Sequence, residues 1–491
     1  MALELIYKDI ALGADEDATP SASAAESYSD IAKLPFGVTA PAIATCELNG
    51  WGLSHDYQVR DGQAFAFWSI DKSGDDCTFA TPPSMSFVFT QQHTSTGITI
   101  QFAPNSMDYC TEVYVEWLQD GAVKAAGTYF PDGPNYLIER TVEAYDGLNI
   151  TLNKTNLPGK RAKVEKVTFG AVRTFDGREL TGINIIHEVS LISDKIPANV
   201  LDASFIGANA VDYVFQRKQP VECYHNGELV GVYFIETGTR AGARSYSIKC
   251  SDAVAVLDLD EYGGGLWIED TPLATILSEV FGSVFEFDID PAYSGATLRG
   301  HIAAGTKRAA LQAIAFALGA IVDTAGTNKI RLFPMATGGG ATIPARDTYT
   351  GGNVTISDTV TEVTVTAYVI TDERPADNEQ SIEFNGEKYK YYTVTKHAYN
   401  PNTVATDLPN KVKFDKSYLV NLSNAQTLAD NIMAYYVRRE KYSFRHIMDG
   451  QTTGGRATAT LPWGEAQSGN VVKMKISCTG IVVSDTELAL D

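Results

Sequence analysis

Short runs of alternating apolar and polar residues fill the region from residue 42 to 167. Ser86–Thr90 and Ile98–Phe102 show the alternation most clearly, and turn-forming pairs such as Asp120-Gly121 and Asp146-Gly147 lie between such runs. Alternation places successive side chains on opposite faces of a strand. Many short strands joined by frequent turns favour an antiparallel sandwich or jelly roll. The predicted strands are Tyr57–Val59, Phe65–Ser69, Met85–Thr90, Gly97–Phe102, Val113–Leu118, Thr128–Phe130 and Leu148–Leu152.

Longer strand-like runs continue from residue 168 to about 260. Asn226-Gly227 lies between the runs Pro220–His225 and Glu228–Thr237. Asn-Gly tolerates the positive φ angles of a type I′ turn, so we expect a tight hairpin here.

Helical periodicity first appears after residue 260. It predicts one helix over Leu273–Phe281, with Asp270 as its cap, and another over Lys307–Leu318, which begins after Thr306 and ends at Gly319. A hairpin of Ile321–Asp323 and Lys329–Phe333 follows, which indicates a small α+β domain.

The rest of the chain returns to strands. Residues 335–352 are rich in Gly and Thr and indicate a linker or loop, and Asn385-Gly386 predicts a second hairpin. A third helix is expected over residues 425–439, with Asn421 or Ser423 as its cap.

The predicted organisation is mainly β with a smaller α+β part, in five segments. Residues 1–41 form an arm or linker, because the Ala-, Ser- and Asp-rich stretch after Leu3–Tyr7 has too few apolar residues to fold alone. The other segments are a β-sandwich at 42–167, a β-barrel at 168–260, the α+β domain at 261–350 and a second β-barrel at 351–491 that includes helix 425–439.

The net charge of the chain argues against nucleic-acid binding. The 491 residues include 60 acidic and 39 basic side chains, a net charge of −21. A chain this acidic is not expected to bind nucleic acid by neutralising phosphates. The excess acid favours solubility, or alternatively a surface to which DNA must not adhere. The sequence contains no apolar run long enough for a transmembrane helix and no secretory signal pattern.

Catalytic and metal-binding motifs are absent from the sequence. It contains no GxSxG, HExxH, Walker or Rossmann motif, and its seven histidines are isolated from one another. We therefore predict no enzymatic activity, no cofactor and no metal. Asp71, Asp75 and Asp76 suggest a calcium site, although a solvated loop is the favoured interpretation.

The cysteines and the aromatic residues each have a favoured interpretation and one alternative. The six cysteines form no CxxC pair and are expected to be free thiols, with a Cys77–Cys110 bridge as the alternative. Most aromatic residues of the sandwich fall on strand positions and are expected in its core. Trp51, which follows Asn49-Gly50, is the tentative contact for a glycan.

Two stretches carry a family resemblance. They consist of strand-rich segments, a hairpin, a Gly-rich turn and a final strand that ends in Asp. The first stretch comprises Lys166–Phe175 and Ile183–Ile206, and the second comprises Pro220–Tyr224, Gly231–Ile235 and Tyr246–Ala253. This pattern resembles the tail hub proteins of bacteriophages and contractile injection machines. The N-terminal half, with Ala80–Pro83 and His93–Ile100, is similar to tail proteins of phages infecting Clostridia-like hosts, in which a jelly-roll, carbohydrate-binding-like domain precedes the hub.

The resemblance implies a structural protein of a virion tail tip or baseplate, assembled in the host cytoplasm. It implies a homotrimer in which two tube-like barrels per subunit, 168–260 and 353–422 plus 441–491, form a ring around a lumen for DNA. The implied partners are a tail tube or distal tail protein above, a separate spike or tip protein below, and a tape measure protein. A separate closing protein is expected because the sequence carries no C-terminal fibre, spike or peptidase domain.

Two other functions remain open from the sequence. The sandwich can be an adhesion module that binds host-surface glycan, with the rest of the chain as its platform. The chain can also be a hydrolase of cell-wall or surface polymer, since any acidic protein offers candidate carboxylates.

Overall fold

The computed structural model describes residues 3–11, 13–25, 66–103, 108–175, 177–206, 215, 217–282, 285–404, 406–415, 417–478 and 481–491. Residues 26–41 of the predicted arm, the predicted strand Tyr57–Val59 and Trp51 lie outside these described residues. Of Phe65–Ser69, all but the first residue is described.

The first ten strands precede or overlap residue 175. They are β1 (Leu3–Ile10), β2 (Thr19–Ser23), β3 (Phe67–Lys72), β4 (Ser84–Gln101), β5 (Cys110–Gln119), β6 (Ala122–Tyr129), β7 (Asn135–Thr155), β8 (Arg161–Val164), β9 (Lys166–Thr168) and β10 (Gly170–Phe175).

The remaining strands alternate with four of the five helices. They are β11 (Leu180–Glu188), β12 (Val200–Ile206), β13 (Pro220–His225), β14 (Glu228–Arg240), β15 (Ser245–Ser251), β16 (Glu261–Tyr262), β17 (Gly265–Pro272), β18 (Phe287–Ile289), β19 (Thr297–Ile302), β20 (Gly305–Thr306), β21 (Ile321–Asp323), β22 (Ile330–Phe333), β23 (Ala341–Thr342), β24 (Asn353–Ile356), β25 (Glu362–Ile370), β26 (Ser381–Phe384), β27 (Glu387–Tyr399), β28 (Lys411–Phe414), β29 (Glu440–Ile447), β30 (Arg456–Thr460), β31 (Ala466–Cys478) and β32 (Val482–Leu490).

The α-helices are few and short, so the prediction of a mainly β protein is confirmed. They are α1 (Ala14–Asp17), α2 (Ala253–Val256), α3 (Leu273–Phe281), α4 (Lys307–Leu318) and α5 (Ala425–Val437). Short 3₁₀ turns occur at Leu257–Leu259, Pro291–Tyr293 and Ala345–Asp347. Among the described residues, no helix is long and apolar enough to cross a membrane.

The chain divides into two compact units. Unit 1 comprises Met1–Ile6 and Phe175–Asp491, and unit 2 comprises Tyr7–Thr174. In the sequence, unit 2 therefore lies between two parts of unit 1.

The described residues of unit 2 form two sheets that share one apolar core. The larger sheet has the order β2-β4-β7-β5-β6, with β9 also beside β4, and the smaller consists of β3 and β8. Phe67 of β3 and Val164 of β8 belong to the same buried cluster as Phe87, Trp117 and Ile150 of the larger sheet. Burying apolar residues from both sheets in one cluster is the packing expected of a β-sandwich.

Two sequence expectations for unit 2 are wrong. The predicted strands Met85–Thr90 and Gly97–Phe102 are parts of one 18-residue strand, β4, whose pairing with β7 is irregular around His93. The predicted turn Asp146-Gly147 lies inside β7, where Asp146 accepts hydrogen bonds from the amide of Asp120. Bulges hide the true length of a strand because they interrupt its alternation.

Unit 1 is built on a large sheet, most of which is antiparallel. Within unit 1 the path through this sheet is β1-β13-β14-β15-β12-β11-β31-β32-β29-β24, with β30 beside β31 and β23 beside β30. The pairing of β11 with β31 joins the strands of residues 180–251 to those of residues 440–490 in one sheet. Strands β25 to β28 instead form their own four-stranded sheet, in the order β26-β27-β25-β28.

The second core lies beside these sheets. Val363 and Val365 of β25 share a buried cluster with Leu428 and Ile432 of α5 and with Leu311 of α4. Each strand and helix contributes the apolar side chains of one face, as alternation and helical periodicity require.

The predicted helices α3 and α4 have the bounds expected from periodicity, and Thr306 caps α4 by accepting the Ala309 amide. Two capping predictions are wrong. Strand β17 continues through Pro272, so α3 has no side-chain cap at Asp270, and α5 follows Asn424 instead of Asn421 or Ser423.

Candidate functional site

The end of the large sheet in unit 1 is the first candidate surface. Strand β24 pairs with β29 on one side, and on the other side it ends the sheet among the residues that the structure describes. We call the segment Thr348–Ser357 the uncharged edge, because none of its residues is charged. Its Tyr349 amide donates to the carbonyl of Arg445 at 2.8 Å, and its Ser357 amide donates to the carbonyl of Arg439 at 2.9 Å.

Two glycines let the uncharged edge lie close to the sheet. Gly351 has φ +104°, a conformation that side chains other than glycine rarely adopt. A Cβ at Gly352 would lie 2.6 Å from the ring of Tyr442. Tyr442 is held in turn, since its hydroxyl donates to the carbonyl of Thr460 at 3.1 Å.

The uncharged edge exposes apolar surface beside strands whose charges are paired. Ile356 is 64% exposed and Tyr349 is 46% exposed. Behind them, Arg445 of β29 donates two hydrogen bonds of 2.7 Å to Asp485 of β32, and these bonds hold the pKa of Asp485 below its ordinary value. Natural edge strands usually carry Lys, Pro or a bulge that prevents pairing with another chain. The uncharged edge carries neither Lys nor Pro, so it is suited to pair with a further strand.

A buried polar network in unit 1 is a second candidate. Asp252 caps α2 by accepting the Ala255 amide, and it also accepts the Thr324 hydroxyl at 2.6 Å. Burial raises the pKa of Asp252 to about 6, and its hydrogen bonds with Thr324, Asn199 and Ala255 oppose this rise.

Asp323, at the end of β21, lies in the same network. Its carboxylate accepts hydrogen bonds from Asn199 at 3.2 Å and Thr453 at 2.8 Å, and it forms an ion pair with Arg331 at 3.1 Å. Its side chain is fully buried. Because every oxygen of the two carboxylates has a donor and neither reaches solvent, this network stabilises the fold and offers no place for a substrate.

A buried histidine lies close to the network. His187 of β11 contacts the Tyr233 hydroxyl of β14 through its Nε2 atom at 2.5 Å. Burial lowers the pKa of His187 to about 4, so the ring is neutral at physiological pH. No local pattern in the sequence predicts this network, because its members come from strands and turns far apart along the chain.

The remaining site predictions fall on unit 2. Trp51 lies outside the described residues, so its role in glycan binding stays a prediction. Asp71, Asp75 and Asp76 are exposed, and Asp76 accepts the amide and hydroxyl of Thr78 within its own loop. In the described part of the chain, no group of three or more His, Cys, Asp or Glu is placed to hold a metal ion.

The structure confirms the predicted core of unit 2 and the free thiols among the described cysteines, whereas Cys46 lies outside the described residues. Trp68 and Trp117 are buried, so neither offers an exposed stacking face. Cys77 and Cys110 are free thiols, and the alternative of a bridge between them is wrong. Cys223, Cys250 and Cys478 are also free.

No protein-family model matches the chain, and no curated protein matches it significantly. Solved structures show weak likeness. A tail protein from Neisseria meningitidis MC58 is 12% identical, with a TM-score of 0.46 over 65% of this chain and 94% of that chain. The 43 kDa tail protein of prophage MuSo2 from Shewanella oneidensis is 11% identical, with a TM-score of 0.44 over 65% of this chain and 97% of that chain.

A third similar structure is the prophage tail protein gp18 from Listeria monocytogenes EGD-e. It is 10% identical, with a TM-score of 0.40 over 62% of this chain and 94% of that chain. Since identity and structural overlap are both low, these likenesses do not assign a function to the chain.

Proposed function

We propose that this chain is a structural hub protein of a phage-type tail, and that copies of it assemble into a ring through the uncharged edge of unit 1. The observation that carries the proposal is the exposed, uncharged strand β24 at the end of the large sheet. An open edge with apolar side chains is a hazard for a protein that works alone, whereas a ring of copies covers it.

The sequence resemblance over residues 166–260 supports the tail-hub form of this ring. In the proposal the ring is a homotrimer at the tail tip or baseplate. It joins the tail tube or distal tail protein to a separate spike or tip protein, with a tape measure protein and then DNA in its lumen. The net charge of −21 supports the last point, because like charge prevents tight phosphate contact.

The mass of the protein in solution tests ring formation. A trimer has three times the monomer mass of 53.1 kDa, and light scattering with negative-stain micrographs should show that mass and a threefold ring. Ile356→Lys places a charge on the uncharged edge and is expected to shift the population toward monomer.

Val404→Lys is the matched control for this experiment. Val404 is 61% exposed, close to the 64% of Ile356, but it follows β27, which belongs to the four-stranded sheet and not to the sheet of β24. The control should keep the mass of the wild type. A wild-type monomer at every concentration, or equal effects of the two substitutions, would contradict the proposal.

Host-surface glycan remains a separate proposal for the sandwich. Specific binding to a glycan array by the full chain, lost on Trp51→Ala, would support adhesion. Binding that survives this substitution would exclude Trp51 as the contact.

A further inference from the structure

A groove in unit 1 runs between helix α4 and strand β28. Its volume is about 290 Å³. One wall is a stripe of α4 formed by Ala309, Ala313 and Phe316, and the other wall is Lys413 to Asp415. Consecutive residues of a strand point to opposite faces, so a groove lined by three of them borders the edge of the strand.

The backbone of β28 is open on the side away from β25. The carbonyl of Asn410 accepts the Thr361 amide at 2.8 Å, and the carbonyl of Val412 accepts the Thr364 hydroxyl. Residues 410 and 412 therefore direct their backbone groups toward β25. In a ladder the next residues direct theirs the other way, so Lys411 and Lys413 present N–H and C=O groups at the edge. Strand β28 ends the four-stranded sheet in the described part of the chain.

The α4 wall leaves room for a second backbone. Ala309 and Ala313 lie one helical turn apart on the same face, and their methyl groups allow close approach. Below them, the rings of Phe316 and Phe414 pack with centroids 5.5 Å apart and form an apolar floor. Such a groove suits an extended peptide with small apolar side chains.

One end of the groove is acidic. The Asp194 carboxylate accepts the Ser190 hydroxyl at 2.6 Å, and no Lys, Arg or His among the described residues forms an ion pair with it. The other carboxylate, Asp415, is paired with Lys413 at 3.0 Å. Asp194 therefore offers a negative charge that a basic residue of a ligand can neutralise.

We infer that this groove binds an extended polypeptide segment of a partner protein. The segment adds a strand to the open edge of β28, places small apolar side chains against Ala309 and Ala313, and sets a Lys or Arg beside Asp194. This interaction is independent of the uncharged edge and of ring formation.

The test uses the full chain and a defined peptide pool. The pool consists of fluorescein-labelled octapeptides with Lys fixed at one end and Val, Ala, Thr or Ser elsewhere. We expect saturable binding by fluorescence anisotropy. Hydrogen exchange should slow at Lys411 and Lys413 when the pool is present, because the added strand accepts hydrogen bonds from their amides, whereas the backbone of Val412 already faces β25.

Two variants test the walls of the groove. Ala313→Trp fills it and should weaken binding about tenfold or more, which corresponds to about 1.4 kcal/mol. Ala303→Trp, at an exposed alanine outside the groove, is the matched control and should bind like the wild type. Far-UV circular dichroism of both variants verifies that they remain folded.

Asp194→Asn tests whether the negative charge of Asp194 contributes to peptide binding. It should weaken binding of the Lys pool several-fold, and it should leave binding of a pool with Gln in place of Lys unchanged. Lack of saturable binding, or equal binding by Ala313→Trp and Ala303→Trp, would overturn the inference. Protection of Lys411 and Lys413 that rises with protein concentration in the absence of peptide would also overturn it, because a second copy would then be the occupant.

Discussion

The hydroxyl of Thr324 donates a 2.6 Å hydrogen bond to the buried carboxylate of Asp252, and so ties the turn after β21 to the cap of α2. Asp252 and Asp323 lie in one network, and burial raises the pKa of Asp252 to about 6. The arrangement makes the stability of unit 1 depend on pH.

We expect that pH dependence to come from Asp252. Its folded pKa of about 6 lies above the ordinary value of 3.8, so the folded chain binds this proton more tightly than the unfolded chain does. The stabilisation is complete below pH 3.8 and is lost as pH rises through about 6. The shift corresponds to about 3 kcal/mol in the free energy of unfolding.

Asp252→Asn tests this origin, because Asn also caps helices well and does not ionise. Urea unfolding of both proteins from about pH 4 to pH 7 should show the variant gaining stability relative to the wild type, by about 3 kcal/mol at the upper limit. Parallel pH profiles would exclude Asp252 as the titrating group.

Removal of the second carboxylate should be costly at every pH. Asp323→Ala leaves the Arg331 guanidinium without its ion pair and leaves Asn199 and Thr453 without their acceptor. A broken buried pair typically lowers the free energy of unfolding by about 3 to 5 kcal/mol. Asp358→Ala, at an exposed position, should change it by less than about 0.5 kcal/mol. Similar unfolding curves for the two variants would show that the network does not stabilise the fold.

The uncharged edge should lose its pairing with β29 when a side chain at position 352 prevents it from lying close to Tyr442. Gly352→Ala brings a methyl group against the ring of Tyr442, and overpacking of this kind costs about 1 to 3 kcal/mol. Amide exchange at residues 353–356 should therefore accelerate. Gly338→Ala, where a Cβ meets nothing within 4 Å, serves as the control. Unchanged exchange in Gly352→Ala would mean that the edge moves outward without losing its pairing.

The stability of unit 2 should depend on one buried carboxylate. Asp108 contacts the Lys160 ammonium at 3.2 Å and the Lys163 ammonium at 2.9 Å, and all three side chains are buried. Asp108→Ala is expected to lower the free energy of unfolding by about 3 kcal/mol, because it removes the acceptor of two buried cations. Calorimetry should show the loss in unit 2, with exposed Asp132→Ala unaffected. A wild-type transition in Asp108→Ala would contradict this role.

Local signals in the sequence predict the parts of this fold that local chemistry determines. At Asn226-Gly227 and Asn385-Gly386 both residues have positive φ, as the type I′ turn requires. Helix α4 begins and ends where Thr306 and Gly319 predict, because each residue completes hydrogen bonds within its own turn.

The features that depend on distant partners are not predictable from the sequence. The Asp146-Gly147 pair indicates a turn by composition, yet it continues β7. Gly147 there leaves room for Leu118 of the neighbouring strand β5, whose Cβ would lie 3.1 Å from an added methyl carbon. The Gly-rich stretch before β24 likewise indicates a linker by composition, although contact with Tyr442 makes its end part of an edge.

The order of the two units along the chain has a consequence for biosynthesis. Strand β1 (Leu3–Ile10) lies beside β13, although β13 starts only at Pro220. At translation rates of about 5 to 20 residues per second, β1 leaves the ribosome roughly 10 to 40 s before its partner. All of unit 2 is synthesised in that interval and can fold first. The edge of β1 that pairs with β13 then lacks its partner on the nascent chain until residues 220–225 emerge.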